Sequence, residues 1–152
     1  MLSHRVERSA LVQYSAQQMF DLVNDIEAYP EYMDDCVGAQ VLQRGPGWLE
    51  ARLELQKAGL TQSFVTRNEL QPPTRMTMKL VEGPFSRLEG CWTFEAIDSG
   101  ACRVGFELAF DMKSRLLGMA VGKLFESAAS KQVDALCRRA QNVYGLPHAG
   151  ER

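Results

Sequence analysis

From Ser114 to about Tyr144, apolar residues return at helical spacing: Leu117, Val121, Leu124 or Phe125, Ala128, Val133 or Gln132, Leu136, Ala140 and Val143. Ser114 suits an N-cap, Gly145 suits a stop, and Pro147 lies just beyond. One helix of that length spans roughly 45 Å. Its apolar stripe needs a cover nearly as long, and the chain upstream supplies one.

That upstream chain reads as strands. His4 to Val12 places Val6, Ala10 and Val12 on one face, with Arg8 as the exception. Two short helical pieces follow. In the first, Ser15 and Gln18 form a capping box ahead of Met19, Phe20, Val23 and Ile26. The second starts at Pro30, as a helix or a turn. Further strands run from Val37 to Gln43, Trp48 to Lys57, Leu60 to Glu69, Arg75 to Val81, Arg87 to Ile97 and Ala101 to Asp111. Turn residues separate them: Arg44-Gly45-Pro46-Gly47, Gln71-Pro72-Pro73-Thr74, Gly83-Pro84 and Asp98-Ser99-Gly100.

Leu49, Ala51, Leu53 and Leu55 face one way and charged residues the other. One wet and one dry face imply an antiparallel sheet covered on one side. The fold class is therefore α+β: a curved seven-stranded antiparallel sheet gripping a long C-terminal helix, with two short helices after the first strand. A sheet curled around a helix leaves a hollow between them. Gly118, Ala120 and Gly122 are expected to widen it at the start of the helix.

The 152 residues suit one domain over 1–146, with 147–152 as a frayed tail. A net charge of −2 argues against binding nucleic acid through a broadly basic surface. Cys36, Cys91, Cys102 and Cys137 have no metal-ligand spacing, so no metal is expected. The start MLSHRVERSA lacks an apolar signal core, which points to free thiols in a reducing compartment. No apolar run reaches the roughly 18 residues of a membrane span.

No nucleophile elbow, zinc-protease helix or phosphate loop is present. The inner faces offer Met, Leu, Phe and Trp rather than an acid or base, so no catalytic residue and no enzyme activity are expected. The hollow's expected lining is Phe64, Met76, Met78, Leu88, Trp92, Phe106, Leu117, Val121 and Phe125, with Met119 nearby. Phe85 is either a core residue under its hairpin or a lip over the mouth. Tyr29 and Tyr32 are turn residues or contacts to ligand or membrane. Arg67 faces solvent or turns inward to a polar head-group. Lys131, Arg138 and Arg139 form a basic helix stripe, either a solvated face or an RNA contact.

Three stretches, YPEYMDDCVGAQV, SFVTRNEL and LVEGPFSRLEGCWTFE, resemble the START-like (helix-grip) superfamily. Within it the chain is similar to the ribosome-association toxin and mitochondrial coenzyme Q-binding protein family over about residues 3 to 144. Asp35 departs from the family's aromatic residue before the cysteine. The resemblance implies a non-catalytic domain that requires no cofactor and holds ubiquinone or another polyprenyl quinone as its ligand, in support of respiration. For some members it implies the large ribosomal subunit as partner, with subunit joining blocked. It also implies a cytoplasmic protein, peripheral at the inner membrane through transient contact.

Overall fold

A computed structural model describes residues 4–146. The expected tail at 147–152 lies outside the described residues. Strand β1 (His4–Val12) is followed by α1 (Ala16–Asn24) and a short 3-10 segment of about two turns, Ile26–Glu31. Six strands come next: β2 (Cys36–Gly45), β3 (Trp48–Lys57), β4 (Leu60–Gln71), β5 (Arg75–Glu82), β6 (Phe85–Asp98) and β7 (Ala101–Met112). The chain then forms α2 (Arg115–Ser130) and α3 (Gln132–Tyr144).

The sheet order is β1-β7-β6-β5-β4-β3-β2, with every neighbour antiparallel. Five hairpins build it in succession, and β1 closes on β7 at one edge. Short polar turns allow this. Ser99-Gly100 joins β6 to β7, with the Asp98 carboxylate accepting the Gly100 N–H at 2.8 Å. Ala58-Gly59 joins β3 to β4, both at positive φ.

At α1 the capping box is formed. Ser15 Oγ accepts the Gln18 N–H at 3.1 Å, and Gln18 Oε1 accepts the Ser15 N–H at 2.8 Å. Two orphan donors are thereby satisfied, and Met19, Phe20 and Val23 can turn fully inward. Pro30 stands inside the 3-10 segment rather than at its start. Without an N–H it leaves one link out of the turn, and Tyr32 and Met33 donate back to Tyr29 O instead.

The C-terminal helix is divided. At Lys131 the repeat tightens for one residue, with Lys131 N–H on Ala128 O, before Ala135 N–H resumes on Lys131 O. Ser130 Oγ donates to Ser127 O at 2.9 Å and competes with the backbone there.

The core has two aromatic centres. One gathers Met19 and Phe20 of α1, Trp92 and Phe94 of β6 and Leu136 of α3. The other sets Phe85, Phe110 and Phe125 edge to face, with ring centroids 4.5–6.2 Å apart. Gly118 and Gly122 serve close approach here instead of widening a hollow. A Cβ on Gly122 would lie 2.9 Å from the His4 ring, and one on Gly118 3.2 Å from Met112. The missing side chains let α2 settle onto β1 and β7, and Ala120 faces solvent.

Candidate functional site

Between the two centres lies a hollow whose wall draws on both. Ile26 and Tyr29 close one side, and Phe125, Ala128, Ala129 and Gln132 of α2 and α3 form the roof. The sheet supplies the floor through Ala51, Leu53 and Leu55 of β3, Phe64, Thr66 and Asn68 of β4, Met78 of β5, Leu88 and Trp92 of β6, and Phe106 and Leu108 of β7. These positions alternate along each strand, so one pleat face of five strands points into the same space.

The centre of a water-sized sphere can occupy ≈ 60 Å³ of it, within ≈ 670 Å³ of non-atom space that includes the open side. One water needs about 10–15 Å³ on the first measure. The hollow in this state holds a few waters' worth of space, and a larger guest requires its lining to move.

Of the residues expected to line the hollow, Tyr29, Phe64, Met78, Leu88, Trp92, Phe106 and Phe125 surround it. Met76, Phe85 and Val121 pack in the core beside it. Phe85 opens β6 and is 1% exposed beneath Phe64 and Phe125, so it is no lip. The side chain of Leu117 lies outside the described residues. Met119 is 71% exposed and lines nothing here.

Tyr32 packs edge-on against Tyr29, and the Arg139 guanidinium sits 5.1 Å from its ring. Arg67 points away from the hollow. Its guanidinium lies over Trp48 at 3.9 Å and pairs with Glu50 at 3.5 Å. The inward reading of Arg67 is thereby corrected: strand parity sends 64, 66 and 68 inward and 67 out.

That parity also reveals what the sequence reading passed over. Thr66 and Asn68 are buried and polar on the apolar floor, 6% and 3% exposed. Thr66 Oγ1 donates to Asn68 Oδ1 at 2.7 Å. The small or aliphatic contributors Ala51, Leu53, Leu55, Ala128 and Ala129 were visible as dry-face positions, yet their role as walls needed the sheet's curvature.

Tyr29 is the one lining residue that titrates. Burial, reinforced by Tyr32, holds its phenol well above the usual range, and its hydroxyl donates to Val23 O. No lining group is poised to exchange protons near neutrality. Among the described residues no group of three potential ligands is placed to hold a metal.

Beside the hollow runs a smaller groove whose polar lining is Asp34, Asp35, Lys131, Gln132 and Arg138. Leu55, Ala128 and Gln132 belong to both walls and form the partition between them. In the groove's wall Lys131 Nζ meets Asp35 Oδ2 at 3.2 Å, and nearby Arg139 meets Glu31 at 3.0 Å. The expected basic stripe is thus largely neutralised by the segment it faces. Arg138 is exposed and forms no salt bridge among the described residues.

Among known proteins, the model of a family described as polyketide cyclase / dehydrase and lipid transport matches residues 12–137. The ribosome association toxin RatA of Vibrio cholerae is 43% identical over 141 residues, covering 93% of this chain and 98% of that protein. The coenzyme Q-binding protein COQ10 homolog B, mitochondrial, of Xenopus laevis is 27% identical over 149 residues, covering 94% of this chain and 61% of that one. A Streptomyces aromatase/cyclase, Zhui, shares the fold at TM-score 0.82 and 17% identity, covering 99% of this chain and all of that one.

Proposed function

We propose, from the premise that this chain belongs to the polyketide cyclase / dehydrase and lipid transport family, in its ribosome-association-toxin and coenzyme Q-binding branch, that it is a non-catalytic carrier of a polyprenyl quinone. The observation that carries this reading is the hollow itself. Phe64, Leu88, Trp92, Phe106 and Phe125 converge on it with no proton donor or acceptor tuned for catalysis. An apolar guest is what such a wall accommodates.

The magnitudes are adequate. Each buried CH₂ contributes about 0.8 kcal/mol, so a five-carbon isoprene unit contributes roughly 3–4 kcal/mol. Micromolar affinity takes about 8 kcal/mol. A ring and two isoprene units suffice after ordering costs, and a longer tail can stay outside. The lining must swell beyond its present volume to admit them. Met78 and the unbranched Gln132 are adaptable enough to yield.

Titration with a two-isoprene quinone, followed by Trp92 fluorescence in a Trp48→Phe background, tests the reading. Saturable micromolar quenching is expected, reduced at least about tenfold by Ala51→Leu, which fills the floor. Quenching that Ala51→Leu leaves untouched places the quinone elsewhere and defeats the proposal.

A second reading, contact with the large ribosomal subunit, is supported by the 43% identity to a ribosome association toxin. A surface and a cavity do not compete, so one chain can do both.

A further inference from the structure

The polar pair on the floor assigns the ligand's chemistry. We infer that Asn68, held by Thr66, is a hydrogen-bonding anchor for an oxygen acceptor on the guest. The hollow would therefore select a carbonyl-bearing apolar ring over a hydrocarbon of the same shape. This inference rests on the carrier reading and adds to it which atom is recognised and where.

Asn68 is 3% exposed, and it lines a cavity that is aliphatic and aromatic apart from Asn68 itself, Thr66, Gln132 and the Tyr29 phenol. Its Oδ1 accepts from Thr66 Oγ1 at 2.7 Å. The Met76 thioether decides the amide's orientation, because Thr66 Oγ1 could bond either end of it whereas Sδ has no proton to give. The reverse orientation would set Oδ1 against the Met76 thioether, where nothing donates.

In the orientation present, Nδ2 carries two protons and, among the described residues, meets only Met76 Sδ, at 3.7 Å. A thioether is a weak acceptor. A buried amide donor without a strong acceptor is costly to keep, and most buried polar groups in folded chains are paired. A guest oxygen would relieve that cost on arrival, which a hydrocarbon cannot do.

The alternatives are weaker. A structural role for the pair is served as well by two apolar residues of the same shape, since Thr66 and Asn68 both pair in the β4 ladders with β3 and β5, next to a register shift at Val65/Thr66 on the β5 side. Among the described residues neither side chain caps a turn, and the pair's one bond to another strand is the weak contact of Asn68 with Met76 of β5. The other floor positions, Phe64, Met78, Leu88 and Trp92, offer the rest of the guest only apolar contact.

The test uses two probes of one skeleton, a geranyl-substituted naphthoquinone and the matching geranylnaphthalene, each titrated calorimetrically. Wild type should prefer the quinone by about tenfold, the yield of one well-formed hydrogen bond. Asn68→Leu should bring the two affinities to within about twofold by weakening the quinone alone. Thr66→Val, close in shape, should lower the preference to roughly threefold by freeing the amide.

Circular dichroism and thermal melts establish that each variant is folded. Should Asn68→Leu fail to fold, Thr66→Val decides. A wild type that binds both probes equally, or a preference unchanged in the folded variants, overturns the anchor and leaves the carrier standing. A wild type that binds neither probe overturns both.

Discussion

Lys131 Nζ stands 3.2 Å from Asp35 Oδ2, tying the break between α2 and α3 to the segment that leads into β2. The pair lines the groove beside the hollow together with Leu55, Ala128 and Gln132, which line the hollow as well. Asp35 also raises the Lys131 ammonium above its ordinary range, through their hydrogen bond first.

If this pair latches the way in, Asp35→Ala should speed quinone uptake. An increase of roughly threefold to tenfold in association rate, with a smaller change in affinity, is the expected stopped-flow result. The charge on Lys131 is present at neutral pH and fades as pH rises through its raised value, so wild-type uptake should also quicken at strongly alkaline pH. Identical rates in wild type and variant at neutral pH place the entrance elsewhere.

A ribosomal contact would have to use charge that the fold leaves free. Lys131 and Arg139 are engaged by Asp35 and Glu31, whereas Arg138 is not. Arg138→Glu should therefore weaken co-sedimentation with large subunits at low salt, and the wild-type association should fall steeply as salt rises. Association indifferent to both salt and Arg138 would point to a different face.

The β3–β4 turn holds Ala58 at φ 54, in the left-handed region, ahead of Gly59 at φ 80. An alanine there costs about 1 kcal/mol. Ala58→Asn, which suits a two-residue hairpin turn, should raise the unfolding free energy by about 0.5–1 kcal/mol in urea melts and leave ligand binding unchanged. A loss of stability would contradict the turn geometry.

Cys102 is buried, and its thiol is pushed up to about 11 from an ordinary 9.0, by burial first and then by Cys137. The folded chain thus keeps a proton that the unfolded chain loses between those values. Its contribution to stability is full below pH 9.0 and is lost as pH rises through about 11. Urea midpoints across that window should fall more steeply for wild type than for Cys102→Ala. Parallel curves would mean the thiol is not what titrates.

Most of the sheet was legible because its turns are spelled in Gly, Pro, Asp and Ser and its dry face alternates cleanly. Trp48–Lys57 was read to its last residue. The break at Lys131 was not legible, because its causes are the Ser130 back-bond and a partner 96 residues away. Gly118 and Gly122 were misread for a related reason. Small residues signal either space or close approach, and only the position of β1 and Met112 decides which. Thr66 and Asn68 were passed over because polar residues in a strand suggest water, although they share the inward parity of Phe64. For the same reason, a charged side chain such as Arg67 between them could be placed outside only once the pleat was fixed.

The central claim is that the space between the sheet and the divided helix holds a polyprenyl quinone. Its most direct measurement is lipid extraction and mass analysis of the protein purified from its own cells without detergent. A polyprenyl quinone recovered in near-stoichiometric amount from wild type, and depleted from Ala51→Leu, is the predicted result. Quinone-free wild-type protein that also fails to take up added quinone would contradict it.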